Sequence, residues 1–377
     1  MRLDVLSALL HLYLAWRLVP PWAGHPLVAA AVAAVLVASM LSMPLAIRAP
    51  RVRSPRLAGA MVWTGVVCLG LFSSLIVLAV LRDAALLAAA LADLAVPGRW
   101  PLGAWSEASG RAVPVAAAAV TLWGFVNARR TAAVVHVDVP IRGLPPALQG
   151  FTIAQISDIH VGPTIRGDYL DAIVRSVNRL GADMVAVTGD LVDGRVQDLA
   201  PHVAPLAGLA SRHGTYFVTG NHEYYSGATP WIDELRRLGV RVLLNEHVVL
   251  RHGDASLVVA GVTDWSAHHF DPAHRSDPHA ALAGAPRDAA VRLLLAHQPR
   301  SAAAAAQAGF DLQLSGHTHG GQFWPWNLFV RFQQPFTAGL HRVRDLRVYV
   351  SRGTGYWGPP KRFGAPSEIT RVRLVSG

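Results

Sequence analysis

Five short polar signatures lie in one order along the C-terminal two-thirds of a 377-residue chain. They are Asp158-Ile159-His160, Gly189-Asp190-Leu191-Val192-Asp193, Gly220-Asn221-His222-Glu223, an isolated His297, and Gly316-His317-Thr318-His319. Together they supply carboxylates, imidazoles and one amide. That donor set suits two adjacent divalent cations of intermediate hardness, such as Mn, Fe, Zn or Co. Asp158 and His160 are two residues apart, as are His317 and His319, so each pair can face one way from an extended segment. Asp190 can bridge two cations through its two oxygens, Asn221 offers a neutral amide oxygen, and His297 adds another imidazole. Two metals about 3.5–4 Å apart can hold a hydroxide between them and clamp a phosphoryl group for in-line attack. His222 follows the amide and is expected to face the substrate, where it would stabilise developing charge or protonate the leaving oxygen. Asp193 and Glu223 suit the orientation of an imidazole through its second ring nitrogen. The glycines at 189, 220 and 316 are expected to let the backbone turn sharply as each strand ends.

Each signature follows an apolar, β-rich run: FTIAQIS, MVAVT, TYFVT, VRLLLA and LQLS. A strand that runs into a polar turn places side chains at the carboxyl edge of a sheet, where open α/β folds build their sites. Helical periodicity separates the first strands (DYLDAIVRSVNRLG, VQDLAPHVAPLAGLA, PWIDELRRLG), after which EHVVLR, SLVVAGVTD, RLLLAH, DLQLSGH, LRVYVSRG and EITRVRLV read as strands. An α/β first half followed by a β-rich second half fits two sheets packed face to face with helices outside. The histidine-rich stretch AHHFDPAHRSDPH (His268, His269, His274, His279) reads as a rim loop, with a second metal site as the alternative. The aromatic run Phe323, Trp324, Trp326, Phe329, Phe332 and Phe336 reads equally as core or rim packing or as a lip against a bilayer or acyl chain.

Hydrophobic residues make up 52% of the chain and charged residues 15%, too apolar for an ordinary soluble protein. The excess lies in residues 1–135, which carry 11 Arg and 4 acidic residues against 23 Lys+Arg and 20 acidic residues in the remainder. The high pI therefore reports arginines flanking apolar segments. The C-terminal part has no basic patch and one lysine, Lys361, which argues against nucleic acid as a partner. Residues 27–47 and 57–81 are free of charge and long enough to span a bilayer, and 3–19 and 112–128 are weaker spans. Segment 84–96, behind Arg82-Asp83 and containing Asp93, reads as an interfacial or re-entrant helix. Arg48, Arg51, Arg53 and Arg56 mark a cytoplasmic loop. This predicts a transmembrane region over 1–130 with about four spans, a connector with an edge strand over 131–150, and a catalytic domain over 151–377 on the cytoplasmic side, most simply of a bacterial inner membrane. Cys68, the only cysteine, excludes an intrachain disulfide.

The string D-x-H, G-D-x-x-D, G-N-H-E, H, G-H-x-H resembles the calcineurin-like metallophosphoesterase superfamily over about residues 150–375, with no signature position departing from the pattern. The resemblance implies a β-sandwich flanked by helices. It implies a first metal on Asp158, His160, Asp190 and His319, a second on Asp190, Asn221, His297 and His317, and His222 as the catalytic histidine. The stretches G-H-T-H-G-G-Q (316–322) and S-R-G-T-G-Y-W-G-P-P (351–360) further resemble a membrane-associated bacterial branch, some members of which act on UDP-2,3-diacylglucosamine.

Three functions are open at this level. The first is a membrane-anchored two-metal hydrolase of a phosphomonoester, phosphodiester or pyrophosphate, with the bilayer and a lipid-linked substrate as partners. The second is a phosphoesterase for soluble nucleotides, and the third a non-enzymatic membrane sensor that retains a metal site.

Overall fold

The computed structural model describes residues 3–377, which divide into two compact units. One holds the N-terminal residues to Val126 together with Gly358–Phe363. The other holds Asn127–Trp357 and Gly364–Gly377.

Four helices make up most of the first unit: α1 (Leu3–Leu18), α2 (Pro26–Arg48), α3 (Pro55–Ala95) and α4 (Leu102–Arg129, whose last turn belongs to the second unit). Among the described residues three helices are long and apolar enough to cross a membrane, Pro26–Arg48, Arg56–Ala95 and Leu102–Arg129, where about four spans were expected. The 16 residues of α1 reach only about 24 Å at 1.5 Å per residue, short of the roughly 30 Å hydrocarbon core. Segment 84–96 is no separate interfacial helix. It continues α3, which runs unbroken for 41 residues. The charges expected to interrupt it have partners. Arg17 donates to Asp83 through Nε and Nη2 at 3.0 and 2.7 Å, the Tyr13 hydroxyl at 2.8 Å and Arg82 at 2.8 Å. Arg82 also donates to Ser106 and Ser109. A paired and hydrogen-bonded charge avoids most of the desolvation penalty that an isolated one would meet. Side chains such as Leu27, Ile47, Leu94 and Trp123 remain exposed, as lipid-facing residues would be. These helices associate the protein with a membrane.

The second unit is α/β. Its strands are β1 (Ala133–Ile141), β2 (Thr152–Ile156), β3 (Met184–Val187), β4 (Thr215–Phe217), β5 (Arg241–Val242), β6 (Glu246–His252), β7 (Ala255–Gly261), β8 (Val291–Leu295), β9 (Leu312–Ser315), β10 (Gly339–Val343), β11 (Leu346–Val350) and β12 (Glu368–Ser376). They form two mixed six-stranded sheets, ordered β1-β12-β2-β3-β4-β5 and β10-β11-β9-β8-β7-β6. In the first, β2 to β5 run parallel and β12 is antiparallel to β2. In the second, β7, β8, β9 and β11 run parallel and hairpin partners β6 and β10 close the edges. The connector residues 133–141 are thus an integral edge strand, in parallel register with β12 from Ala133↔Glu368 to Ile141↔Ser376.

Alternation along the strands explains the layers. Ile153, Met184 and Ala186 of the first sheet meet Leu257, Val259, Leu293, Leu295, Leu312 and Leu314 of the second. Their neighbours Ala154, Ile156, Val185 and Val187 face the other way, onto Leu170, Ile173 and Val177 of α5 (Gly167–Asn178), Leu199 of α6 (Val196–Val203) and Trp231 and Leu235 further on. Strands covered on both faces read as continuous apolar runs, and each such side chain contributes about 1.5–3 kcal/mol on burial. The exception is Gln155. Its amide bridges the two sheets, donating to Thr188 Oγ1 and to Ser315 O, both at 2.9 Å. These contacts tie the carboxyl ends of β2, β3 and β9 together where the polar signatures begin.

Candidate metal centre

The turns after β2, β3, β4, β8 and β9 converge. His160 Nε2 lies 3.0 Å from His319 Nε2, and His319 Nε2 lies 3.6 Å from Asp158 Oδ1. On the other side, Asp190 Oδ2 is 3.1 Å from His297 Nε2, and that nitrogen is 3.2 Å from His317 Nδ1. Asp190 Oδ2 joins the two sets, 4.0 Å from His160 Nε2 and 3.9 Å from His222 Nε2. Asn221 opens the short helix α7 (Asn221–Ser226), and the next backbone N–H, of His222, donates to Asp190 Oδ1 at 2.8 Å. All eight residues singled out in the sequence therefore meet in one place. Asp158-His160-His319 and Asp190-His297-His317 each form a group able to hold a metal ion.

The backbone carries the strain expected of such a site. Asp158, His160, Asp190, His317 and His319 all have positive φ, from 51° to 73°. Non-glycine residues rarely adopt that region outside sites whose surroundings enforce it. Of the three glycines, only Gly189 serves a left-handed turn, at φ 87°. Gly220 and Gly316 answer a different need, which is proximity. A Cβ on Gly220 would stand 2.2 Å from Asp190 Oδ1, and one on Gly316 2.1 Å from Asp158 Oδ2.

The outer hydrogen bonds set the donor atoms. His297 Nδ1 donates to Thr188 O at 2.7 Å, which leaves Nε2 facing inward. Asp193 Oδ1 accepts from His160 Nδ1 at 3.0 Å and from His222 Nδ1 at 2.6 Å, so one carboxylate orients two rings. The nearby grouping of His160, Asp193 and His222 is explained by these bonds. Glu223 plays a part other than the expected one. It touches no imidazole; its carboxylate accepts the backbone N–H groups of Gly220 (2.6 Å), Asp190 (3.0 Å) and Leu191 (2.8 Å), tying two signature turns together. Burial, helped by the Asp190 charge, pushes Glu223 up to about 7, against the pull of those donors. Burial opposes protonation of His222, but the hydrogen bond to Asp193 and the charges of Asp190, Asp193 and Glu223 outweigh it and hold the ring up at about 9. Burial and the neighbouring His297 hold His317 down at about 3, a neutral ring with a free lone pair.

The donor set fits cations. Asn221 Oδ1 is buried and accepts no hydrogen bond, an expensive state for an amide oxygen unless something electropositive faces it. His160 and His319 aim ring nitrogens at each other across 3.0 Å, a spacing at which only one can carry a proton. Imidazoles fixed through their second nitrogen, as His160 and His297 are, are what a metal centre uses.

A family model for calcineurin-like phosphoesterases matches residues 151–321. A protein from Aquifex aeolicus described as an uncharacterized metallophosphoesterase is 34% identical over 224 residues, covering 59% of this chain and 84% of that one. The chain belongs to the calcineurin-like metallophosphoesterases. The chain also matches a bovine transmembrane protein with metallophosphoesterase domain, 44% identical over 263 residues, 67% of this chain and 59% of the other. An uncharacterized metallophosphoesterase of Helicobacter pylori is 40% identical over 228 residues, 59% of each. The chain thus spans about three-fifths of the length of these two relatives. They come from both cattle and a bacterium, so they do not single out the bacterial branch of the narrower resemblance.

The remaining histidines stay apart from the centre. His268 and His269 pack on each other, and His274 Nδ1 meets the Tyr224 hydroxyl at 2.8 Å. Among the described residues no metal-holding group includes His268, His269, His274 or His279. The aromatic run divides. Phe323 is buried, Phe336 packs against the second sheet's outer cluster, and Trp324, Trp326, Phe329 and Phe332 are exposed. Residues that sequence reasoning missed are Thr188, whose carbonyl orients His297, and the rings of Tyr225 and Trp357 beside His222. Trp357 was in view as part of 351–360, but nothing local connects it to residue 222.

Proposed function

We propose that this metallophosphoesterase is a membrane-anchored hydrolase of phosphoesters or pyrophosphates that uses two divalent cations. Asp158, His160, Asp190 and His319 would hold the first and Asp190, Asn221, His297 and His317 the second. The observation that carries the reading is the pair of imidazole sets on either side of Asp190, with the oxygen of Asn221, next in sequence to His222, buried and without a hydrogen bond. Mn, Fe, Zn or Co all suit this donor set, and such cations supply Lewis acidity toward the phosphoryl oxygens and acidify water. His222 is partly exposed, keeps its Nε2 toward the centre, and is held by Asp193 in a protonated state. It delivers that proton to the leaving oxygen. Asp193 keeps the ring aligned, and Glu223 keeps the Asp190 and Asn221 turns in register.

Lipid-linked or amphipathic phosphoesters are the substrate class proposed, because helices long and apolar enough to span a bilayer share the chain with the site and exposed aromatics lie close to it. Full-length protein in detergent, stripped with chelator and reloaded with Mn²⁺, is expected to regain phosphodiester hydrolysis in step with bound metal and to cleave phosphate from lipid extracts faster than from nucleotides. Full activity in the stripped protein would sink the two-metal reading. A nucleotide preference would sink the lipid one.

The catalytic unit is proposed to face the cytoplasm of a bacterial inner membrane, with Arg48, Arg51, Arg53 and Arg56 marking one cytoplasmic end and Arg129-Arg130 the other. A reporter active only in the cytoplasm, fused after Gly377, is expected to light up. Signal instead from a reporter active only outside would reverse the orientation.

A further inference from the structure

Two exposed rings stand against His222. The Tyr225 ring centroid lies 5.2 Å from that of His222 at an interplanar angle of 66°, and the Trp357 centroid lies 5.8 Å away at 74°. Phe270 extends the surface, 5.6 Å from Tyr225 and tilted by 59°. All three are more than half exposed, at 61% for Tyr225, 54% for Trp357 and 51% for Phe270. Exposed aromatic rings are unremarkable singly; two that pack on His222 in a proposed active centre, one of them extended by a third, are a different matter.

Trp357 is also held in place. Gln322 clamps its backbone at both ends, accepting from Trp357 N at 2.8 Å and donating to Trp357 O at 2.8 Å. Gln322 follows the ligand His319 by three residues and has a φ of 58°. Two residues before Trp357, Gly355 N donates to Asp158 O at 3.0 Å, and a Cβ on Gly355 would meet Ile159 O at 2.1 Å. The loop that carries the tryptophan is therefore bolted to the two turns that carry Asp158 and His319. The stretches 316–322 and 351–357, far apart in sequence, form one device.

We infer that Tyr225 and Trp357 form an apolar wall on the leaving-group side of the centre and select phosphoesters whose leaving group carries an aliphatic chain. This rests on the role proposed for His222. If His222 protonates the leaving oxygen, whatever is attached to that oxygen must pass these rings. Both rings meet His222 at steep angles, and the tilted surfaces suit a flexible chain better than a flat base, which packs best between parallel faces. The spanning helices place the protein where amphiphiles with such chains are concentrated.

The test is a chain-length series. Methyl to octyl esters, and a nucleoside counterpart, are assayed with full-length metal-loaded protein in whichever phosphoester linkage the wild type cleaves. Leaving-group acidity barely changes along the alkyl series, so a rising kcat/KM reports contact with the chain. An increase of about tenfold or more from methyl to octyl is expected, since each buried methylene is worth about fourfold. Tyr225→Ala and Trp357→Ala should each flatten that slope, and Trp357→Phe should restore part of it. Gln322→Ala should flatten it as well, because it frees Trp357, while metal content stays at the wild-type level. A flat slope in the wild type, a slope unchanged in both alanine variants, or a nucleoside preferred over octyl would overturn the inference while leaving phosphoester hydrolysis intact. Absence of hydrolysis in every linkage would sink the inference together with the function it rests on.

Discussion

Asp190→Asn is expected to abolish turnover and to remove at least one equivalent of bound metal. Asp190 belongs to one candidate metal group and lies beside the other. Its Oδ2 is 3.1 Å from His297 Nε2 and 4.0 Å from His160 Nε2, and its Oδ1 takes the His222 N–H at 2.8 Å. Burial works against its ionisation, yet the imidazoles of His297, His222 and His160 hold its carboxyl well below the usual range, so it is a carboxylate in the folded protein. The amide has nearly the same shape. It loses the charge that two cations are proposed to share, and it turns an N–H₂ group toward nitrogens that need an acceptor or a metal. The variant should fold, because the Glu223 carboxylate still binds the backbone N–H groups of residues 190 and 191. Metal analysis beside turnover decides the matter: wild-type metal content with full activity is the result that removes Asp190 as the bridge.

His222→Ala is expected to separate chemistry from binding. The rate should fall by roughly 10²–10⁴, the usual range for a lost acid–base group, with both metals retained. His222 lies 3.9 Å from Asp190 but directs Nδ1 to Asp193 at 2.6 Å, and its ring is partly exposed where the rings of the proposed ligands His160 and His297 are buried. A His317→Ala control should instead lose metal, since that ring is neutral, inward-facing and 3.2 Å from His297. If metal content in His222→Ala falls as far as in the control, His222 is a ligand and the proton donor lies elsewhere.

Much of the centre was legible in the sequence for one physical reason: ligands at the carboxyl ends of parallel strands are announced by local signals, an apolar run followed by a polar turn. Asp158, Asp190 and His317 stand two to three residues beyond the ends of β2, β3 and β9, and the paired spacing of Asp158 with His160 and of His317 with His319 is itself local. The strands were equally legible, since burial on both faces leaves β3 continuously apolar and β2 and β8 mostly so.

What required the tertiary structure was every decision made between segments distant in sequence. Glu223 looked like an imidazole partner because its type fits that role, but only the fold brings the backbone of Asp190 and Leu191 to its two oxygens. Gly220 and Gly316 looked like turn residues, yet their reason is the carboxylate of another segment pressing within about 2 Å of where a Cβ would stand. Asp83 read as a break in an apolar helix until Arg17 and Tyr13, some seventy residues earlier, arrived to neutralise it. Trp357 and Gln322, 35 residues apart, carry no local mark of their partnership. Residue type and strand-end position are written in single segments and name the candidate donor set. Space, charge compensation and the wall beside His222 depend on which segments meet, and a hydrogen bond or a clash between them exists only once the chain has folded.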